Sequence, residues 1–420
     1  MKLSSFGQKL GEDAGINSLM DDLGEAMASG GDVVMMGGGN PGHLPEVTDR
    51  LQAIMKELVD DPEQFRRLTG VYDPPQGEKQ FIASLVELLN REYDWGLTTE
   101  NVGLTNGSQS AFFMLFNMLA GEHPDGSHKH ILLPLAPEYI GYGDAGLTPG
   151  LFHAVRPEIE ELGDNQFKYR VDFSQLEITE DTAAICVSRP TNPTGNVLTD
   201  GEMLGLEELA REHDIPLIVD GAYGTPFPDL MYTEASPRWT PQHILCLSLS
   251  KLGIPAARTG IVIADKPVIR ALSGVNAIMN LATGSFGAML AEPLVRSGEI
   301  ISMSRDLVQP VYQRKMEAAV AAFREAMGDE CPWRVHKPEG AMFLWLWFPD
   351  LPISSLELYK RLKARGVLVV SGHYFFPGLP DEGWRHQHEC LRVTYSQDEA
   401  DVARGLQAIA EEAKRAWAQG

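Results

Sequence analysis

The sequence has few cysteines and no long hydrophobic run. Only four of its 420 residues are cysteine, namely Cys186, Cys246, Cys331 and Cys390. Because no two of them have the CxxC spacing, neither a zinc knuckle nor a disulfide framework is indicated, and free thiols in a reducing compartment are expected. The first residues lack the apolar segment of a signal peptide, and no run approaches the roughly 20 apolar residues of a membrane span. These features favour a cytoplasmic protein.

Basic residues are also scarce, since 35 Lys and Arg face 58 Asp and Glu and give a formal charge of -23. A surface of this sign repels phosphate backbones and anionic lipid, so neither nucleic acid nor a membrane is an expected partner. Hydrophobic residues make up 44% and charged residues 22% of the chain, which is typical of a soluble globular protein and excludes a disordered, coiled-coil or collagen-like chain. The length corresponds to about two or three domains.

Short apolar runs alternate with helical patterns over most of the chain, which predicts βαβ units and a mostly parallel sheet flanked by helices. One helix is predicted over 202–213. The predicted strands are 131–135, 183–188, 216–220, 244–250 and 260–264.

The last third has a different pattern. It predicts helices over 304–327, 356–364 and 399–418, with Gly366 ending the second of them. The predicted strands are 342–348, 367–371 and 391–396. We therefore expect a large domain of residues 48–300 and a smaller α+β domain formed by residues 1–47 and 301–420.

Two predicted strands end in residues suited to chemistry. Lys251 follows strand 244–250, and a lysine desolvated at a strand end has a lowered pKa and is a competent nucleophile. The alternative is a solvated loop lysine. Asp220 ends strand 216–220, at the edge where open α/β sheets bind their ligands. The alternative is a helix N-cap.

Two loops are suited to polar ligands. Strand 183–188 leads into RPTNPTGN, a stiff loop in which Asn192 either caps its own turn or holds a ligand hydroxyl. The turn LTNGSQ leads into an apolar helix, and its residues Ser108 and Gln109 lie where a helix N-terminus binds an anion such as phosphate. An ordinary N-cap is the alternative there.

Three motifs, NPTGN, DGAY and SLSK followed by RTG, occur in this order along one βα series. Their order and spacing resemble those of the class I/II aminotransferases of fold type I, over about residues 37–392. The resemblance implies an α/β fold, with a large domain built on a mostly parallel central sheet and a smaller α+β domain. It also implies an enzyme that uses pyridoxal 5′-phosphate and forms a Schiff base with it through Lys251.

The resemblance implies roles around the cofactor ring. Asp220 is expected to pair with the pyridine nitrogen and to keep it protonated, so that the ring accepts electrons from the substrate. Asn192 and Tyr223 are expected to donate hydrogen bonds to the 3′-oxygen, and Tyr139 is expected to stack on the ring. Tyr139 has the alternative of an ordinary core or loop aromatic.

The resemblance also implies residues that hold the cofactor phosphate and the substrate. The phosphate ligands expected are Ser108, Gln109, Ser248 and Arg258, with Ser250 ranked below them. Arg258 lies seven positions after Lys251, where many relatives have eight. The substrate α-carboxylate is expected to bind Arg392, near Asn192 and the backbone of Gly39. Tyr72 matches a tyrosine that reaches the phosphate of a neighbouring subunit, which implies a homodimer with shared active sites.

Longer strings, among them MGGGNPG, PLAPEYIGY, KPEGAMFLWLWF and GHYFFPG, resemble family members that act on valine and pyruvate. The resemblance implies a ping-pong exchange of an amino acid with a 2-oxo acid, in which valine and pyruvate give 3-methyl-2-oxobutanoate and alanine. The aromatics of FLWLWF and HYFFPG either wall a small apolar pocket or form the core. Transfer from another aliphatic or aromatic amino acid and a C–S lyase are the enzymatic alternatives.

Other classes of protein fit the sequence less well. A transcription regulator that binds the same cofactor would carry a basic helix-turn-helix ahead of the turn near residue 105, and none is evident. The segment GGGNPG lacks the strand, helix and acidic residue of a nicotinamide site. The group His386, His388 and Cys390 lacks a distant pair of metal ligands, so we expect a solvated or core-edge cluster and no metal.

Overall fold

The computed structural model describes residues 2–11, residue 24, residues 33–381 and residues 383–419. Residues 12–23 and 25–32, which belong to the N-terminal part of the predicted small domain, lie outside the described residues. The helices are α1 Ser5–Gly11, α2 Pro45–Asp60, α3 Pro62–Gly70, α4 Lys79–Tyr93, α5 Ser108–Leu119, α6 Asp200–Glu212, α7 Lys266–Asn280, α8 Phe286–Ser297, α9 Glu299–Met303, α10 Gln309–Met327, α11 Ser355–Ala364 and α12 Glu399–Gln419.

The strands belong to three sheets. They are β1 Val34–Met35, β2 Val102–Thr105, β3 Gly121–Glu122, β4 His128–Leu133, β5 Phe152–Ala154, β6 Glu158–Leu162, β7 Gln166–Arg170, β8 Thr182–Ser188, β9 Leu217–Asp220, β10 His243–Ser248, β11 Gly260–Ile263, β12 Arg334–His336, β13 Phe343–Trp347, β14 Val367–Leu368, β15 Val370–Ser371 and β16 Cys390–Thr394.

The central sheet has eight strands in the order β2-β11-β10-β9-β8-β4-β3, with β5 beside β4. Its middle strands β10, β9, β8 and β4 run parallel, while β11 is antiparallel to both of its neighbours. The parallel strands β8, β9 and β10 are buried along their whole length, because helices cover both faces of such a sheet and require continuous apolar runs. The predicted α/β fold with a mostly parallel sheet is confirmed.

The second sheet has six strands in the order β15-β16-β13-β12-β7-β6. The hairpin of β6 and β7 lies inside residues 48–300, yet β7 pairs with β12 of the C-terminal region. The two sheets therefore do not divide at residue 300. The division into domains at that residue stays a prediction.

Two predicted elements of the last third differ in the structure. The strand predicted over 367–371 is two strands, because β14 pairs with β1 whereas β15 pairs with β16. The helix predicted over 304–327 begins with a π-helical turn, Ser304–Val308, before α10. Pro310 explains the turn, since proline has no N–H to donate to the preceding turn and its ring clashes with the carbonyl four residues back.

A buried ion pair of the second sheet contacts a loop of the central sheet. Lys168 of β7 donates to the carboxylate of Glu339, and also to Oδ1 of Asn196 and the carbonyl of Val197, both at 3.0 Å. Asn196 and Val197 follow β8 in the loop that carries Asn192. A buried charge needs a full set of partners, so this contact fixes the loop against the second sheet.

No helix in the described part of the chain is both long enough and apolar enough to cross a bilayer.

Candidate active site

A cavity of about 200 Å³ opens at the C-terminal ends of β8, β9 and β10. Parallel strands end together at this edge, so side chains distant in sequence meet there. The predicted site residues that line the cavity are Gly39, Ser108, Gln109, Tyr139, Asn192, Asp220, Tyr223, Ser248, Ser250, Lys251, Arg258 and Arg392. Tyr72 is the one predicted site residue that does not, since it is 80% exposed on the outer surface.

Lys251 lies in a 3₁₀ turn directly after β10, and its side chain reaches into the cavity. Its Nζ donates to the carbonyl of Gly39 at 2.5 Å. Desolvation by the surrounding protein, followed by the positive charges of Arg392 and Arg258, lowers the pKa of Lys251 to about 8, against the opposing charge of Asp220. About a tenth of this amine is therefore uncharged at pH 7 and able to act as a nucleophile.

Asp220, the last residue of β9, is buried beside the cavity. Burial raises its pKa, while hydrogen bonds from Tyr142 and from the backbone of Ala222 oppose that effect. The hydroxyl of Tyr142 donates to Oδ2 at 2.7 Å, and the N–H of Ala222 donates to Oδ1 at 2.9 Å. These bonds fix the orientation of the carboxylate.

Arg392 of β16 brings a cation from the second sheet into the cavity. Its Nη1 donates to Oδ1 of Asn192 at 2.9 Å and its Nη2 to the carbonyl of Gly37 at 2.5 Å. The guanidinium lies 4.4 Å from the ring centre of Phe343 and 5.1 Å from that of Phe375. Burial lowers the pKa of Arg392 to about 10, so the group remains charged at neutral pH. Its Nε is buried and has no hydrogen-bond partner among the described residues.

Tyr223 lies between Lys251 and the aromatic ring that packs against Arg392. Its ring packs edge-on against Phe343 with centroids 5.8 Å apart, and Nζ of Lys251 lies 5.2 Å from its ring centre. Burial raises the pKa of Tyr223. Its hydroxyl therefore stays protonated and can donate a hydrogen bond to an anionic oxygen in the cavity.

The opposite end of the cavity is built to hold an anion. Gly107 has φ +90° and leads into α5, whose first N–H groups have no partner within the helix. The guanidinium of Arg258 lies against Gly107, so a Cβ there would collide with it, and a Cβ at Gly260 would lie 2.6 Å from the N–H nitrogen of Ser108. Ser248 accepts a hydrogen bond from the N–H of Ser250 at 3.1 Å, which leaves its own hydroxyl proton to donate.

The structure also brings in residues that the motifs did not single out. Tyr142 is one of them, although it belongs to the string PLAPEYIGY, three positions after Tyr139. Ser188 ends β8 and lines the cavity. The apolar residues Phe112, Ile140 and Pro190 complete the walls. Of these residues, only Tyr142 could have been found from the sequence, because it is a second tyrosine in the same short string as Tyr139.

His386, His388 and Cys390 do not share one face of a strand. His386 and His388 lie in a 3₁₀ turn, and only Cys390 is in β16. The ring of His386 contacts the hydroxyl of Tyr169 in the core, whereas His388 pairs with the exposed Asp381 at 2.6 Å. Among the described residues no group of three or more potential ligands could hold a metal ion.

Comparison with known proteins identifies the family. The family model for aminotransferase class I and II matches residues 32–409. The valine–pyruvate aminotransferase of Escherichia coli strain K12 is 46% identical over 419 residues, which cover 100% of both chains. This protein is a class I/II aminotransferase.

Two solved structures of aminotransferases superpose on nearly the whole chain. A putative amino-acid aminotransferase from Psychrobacter arcticum 273-4 has a TM-score of 0.97 at 47% identity and covers 100% of both chains. A valine–pyruvate aminotransferase from Salmonella typhimurium LT2 has a TM-score of 0.88 at 46% identity, covering 97% of this chain and 100% of its own.

The cavity of this aminotransferase fits pyridoxal 5′-phosphate, the cofactor of the family. Gly107 and Gly260 leave the space in which backbone N–H groups and Arg258 could surround an anion, as a phosphate requires. The amine of Lys251 can reach an aldehyde, and the buried carboxylate of Asp220 can pair with a protonated ring nitrogen.

The lowered pKa of Lys251 gives a pH dependence that does not require the cofactor. In the cofactor-free enzyme, acetylation of Lys251 by trace acetic anhydride should rise with pH to half its limiting rate near pH 8, because only the uncharged amine reacts. A lysine with the ordinary pKa would reach that point at about pH 10.4. Mass spectrometry of the labelled peptide measures the rate at each pH. A midpoint at about pH 10.4 for Lys251 would contradict the assignment.

The anion site can be tested with a matched pair of glycines. Gly107 and Gly126 have similar positive φ angles, +90° and +86°, but a Cβ meets Arg258 at Gly107 and nothing within 4 Å at Gly126. Both Gly→Ala variants should lose about 1 kcal/mol of stability through backbone strain. Only Gly107→Ala should weaken pyridoxal phosphate binding, by about tenfold or more, as measured by fluorescence titration. Equal affinities in the two variants would refute this account of the anion site.

Proposed function

We propose that this aminotransferase transfers an amino group between valine and pyruvate, forming 3-methyl-2-oxobutanoate and alanine in two half-reactions. The observation that carries the proposal is the 46% identity to the Escherichia coli valine–pyruvate aminotransferase over the full length of both chains. The geometry of the cavity supports it, because each charged side chain there has a place in amino-group transfer.

We assign the roles of the side chains as follows. When bound, the cofactor supplies an aldehyde that captures the amino group and a ring that accepts electrons from the substrate Cα. Asp220 holds a proton at the ring nitrogen, and Tyr142 keeps its carboxylate in place. Lys251 takes the proton from Cα, since its side chain reaches into the cavity from the turn after β10. Asn192 and Tyr223 bind the 3′-oxygen of the ring, and Tyr139 packs on the ring.

The cofactor phosphate and the substrate carboxylate bind at opposite ends of the cavity. Ser108, Gln109, Ser248 and Arg258 hold the phosphate, with Ser250 as a further donor. Arg392 holds the α-carboxylate of the amino acid next to the backbone of Gly39. Its contacts with Asn192 and Gly37 prevent rotation of the guanidinium, so the carboxylate binds in one orientation and Cα lies near Lys251.

The charged side chains of the cavity favour a short, apolar substrate. The charged residues among the described lining residues are Asp220, Lys251, Arg258 and Arg392. Each of them has a role above, so the described residues that line the cavity offer no further cation for a second substrate carboxylate. A difference of one methylene changes binding by only about 1–3 kcal/mol, so other aliphatic amino acids should also react.

A homodimer is the second part of the proposal. Val71 and Tyr72 are exposed, as are Ile278, Leu281 and Phe286 at the end of α7 and the start of α8. Ser285 donates to Asp73 at 2.5 Å and the N–H of Gly284 to Asn106 at 3.0 Å, which places these exposed groups beside the anion site. Exposed apolar groups gathered at one place favour a protein–protein interface. A second copy of the chain bound there would bring its Tyr72 close to the anion site.

We further place the enzyme in the cytoplasm. Its four cysteines are unpaired thiols, and three of them are buried. Unpaired cysteines are typical of a reducing compartment.

A screen of single half-reactions tests the substrate. The cofactor-loaded enzyme is mixed with each amino acid, and conversion of the cofactor to its amine form is followed spectrally. Small and branched aliphatic amino acids, valine among them, should react fastest, and pyruvate should restore the starting spectrum with formation of alanine. Lys251→Ala should reduce the rate by about 10²–10⁴-fold, whereas Lys266→Ala at an exposed ion pair should not. Preference for aspartate or aromatic substrates, or release of ammonia, would exclude the proposed reaction.

Hybrid dimers test the shared site. Tyr72→Ala and Lys251→Ala subunits are each expected to be defective, but a dimer that contains one of each has one site with both residues intact. Co-expressed, differently tagged subunits should therefore regain about half of the wild-type activity at limiting cofactor. If Tyr72 serves its own subunit, or if the enzyme sediments as a monomer, the hybrid preparation stays inactive.

A further inference from the structure

Glu138 is a fully buried carboxyl group that has no role in the site described above. It lies between Pro137 and Tyr139, and its exposed fraction is 0%. Its Oε1 accepts a hydrogen bond from the N–H of Ser188 at 2.9 Å, and its Oε2 accepts one from the Ser188 hydroxyl at 2.5 Å. In the described part of the chain no ion pair involves Glu138.

The partner of Glu138 connects it to Asp220. Ser188 is the last residue of β8, and in the sheet it is the register partner of Asp220 at the end of β9. The loop that begins at Glu138 returns to the same edge four residues later, where Tyr142 donates to Asp220 at 2.7 Å. One short loop therefore contacts the ends of both strands.

The backbone of Glu138 extends this connection to the second sheet. Its N–H donates to the carbonyl of Phe375 at 2.8 Å, and the ring of Phe375 lies 5.1 Å from the guanidinium carbon of Arg392. The side chain and backbone of Glu138 thus join the loop of Tyr139, the end of β8 and the side of the cavity that carries Arg392.

A carboxyl in this place is costly for the fold. Burial, together with the nearby charge of Asp220, raises the pKa of Glu138 to about 8, although the hydrogen bonds from Ser188 oppose the shift. An apolar side chain would avoid this cost but would leave the N–H of Ser188, at the end of its strand, without an acceptor. The position therefore requires an acceptor and not only a side chain of suitable size.

We propose that Glu138 is a positioning residue of the cofactor pocket, which holds the loop of Tyr139 and Tyr142 against the ends of β8 and β9. This inference rests on the proposed function, in which Tyr139 packs on the cofactor ring and Asp220 pairs with the ring nitrogen. Glu138 itself does not line the cavity. Its effect reaches the cofactor through other residues. Ser188 and Tyr139 line the cavity, and Tyr142 holds Asp220, which also lines it.

The test compares three variants of the full-length enzyme. Glu138→Ala removes the acceptor. Glu138→Gln retains it, because the amide oxygen can accept from the Ser188 N–H while the amide nitrogen donates to the reoriented hydroxyl. Glu292→Ala is the matched control, since Glu292 is also buried and accepts from a serine hydroxyl, that of Ser84 at 2.8 Å, but does not line the cavity.

Two measurements are made on each variant. The first is the dissociation constant for pyridoxal phosphate, from fluorescence titration of the cofactor-free protein. The second is hydrogen exchange by mass spectrometry of that protein, in peptides that cover 136–142 and Ser188. Glu138→Ala should weaken cofactor binding by about tenfold or more and speed exchange in these peptides. Glu138→Gln should stay within about threefold of the wild type, and Glu292→Ala should change neither quantity.

Each outcome decides the proposal. Wild-type affinity and exchange in Glu138→Ala, or equal losses in Glu138→Ala and Glu292→Ala, would overturn it while leaving the proposed function intact. Absence of saturable cofactor binding in the wild type would overturn the proposed function and this inference together. If Glu138→Ala does not fold, Ser188→Ala removes the hydroxyl bond to Glu138 and should speed hydrogen exchange in the peptide that covers 136–142. Unchanged exchange in that peptide of Ser188→Ala would then contradict the proposal.

Discussion

Desolvation of one lysine amine is the constraint on which the site depends. In water the amine of a lysine is almost fully protonated at neutral pH, and it is then no nucleophile. The end of β10 places Lys251 within the field of Arg258 and Arg392, and the surrounding protein excludes much of the water that would stabilise the charge. Arg258 and Arg392, which help to lower its pKa, are also the residues assigned to the phosphate and to the substrate carboxylate. Binding of those anions is therefore linked to the reactivity of the amine.

The charge of the cavity is opposite to that of the protein. The chain as a whole carries a formal charge of -23, whereas the cavity contains three cationic side chains and one carboxylate. A cavity of this composition attracts a phosphate and an amino-acid carboxylate.

Sequence patterns predicted the strands whose character depends on their own residues, but not those that depend on a distant partner strand. The buried strands β8, β9 and β10 were predicted because strands covered on both faces must be continuously apolar. The split of 367–371 into β14 and β15 was not predicted, since each half is a strand only through a partner elsewhere in the chain, β1 for one and β16 for the other. The hairpin of β6 and β7 was likewise not assigned to the second sheet, because its pairing with β12 crosses more than 150 residues.

The sequence by itself determined which side chains are the candidates for the chemistry, and the structure brings them to one cavity. Lys251, Asp220 and Asn192 stand in short motifs, and such motifs are visible because the backbone that presents each residue is local. Only the tertiary structure decided how these residues are supported. The bonds from Tyr142 to Asp220 and from Arg392 to Asn192 span 78 and 200 positions, and the acceptor role of Glu138 exists only where β8 ends beside its loop. No local pattern records such contacts, because they depend on which strands are neighbours in the sheet.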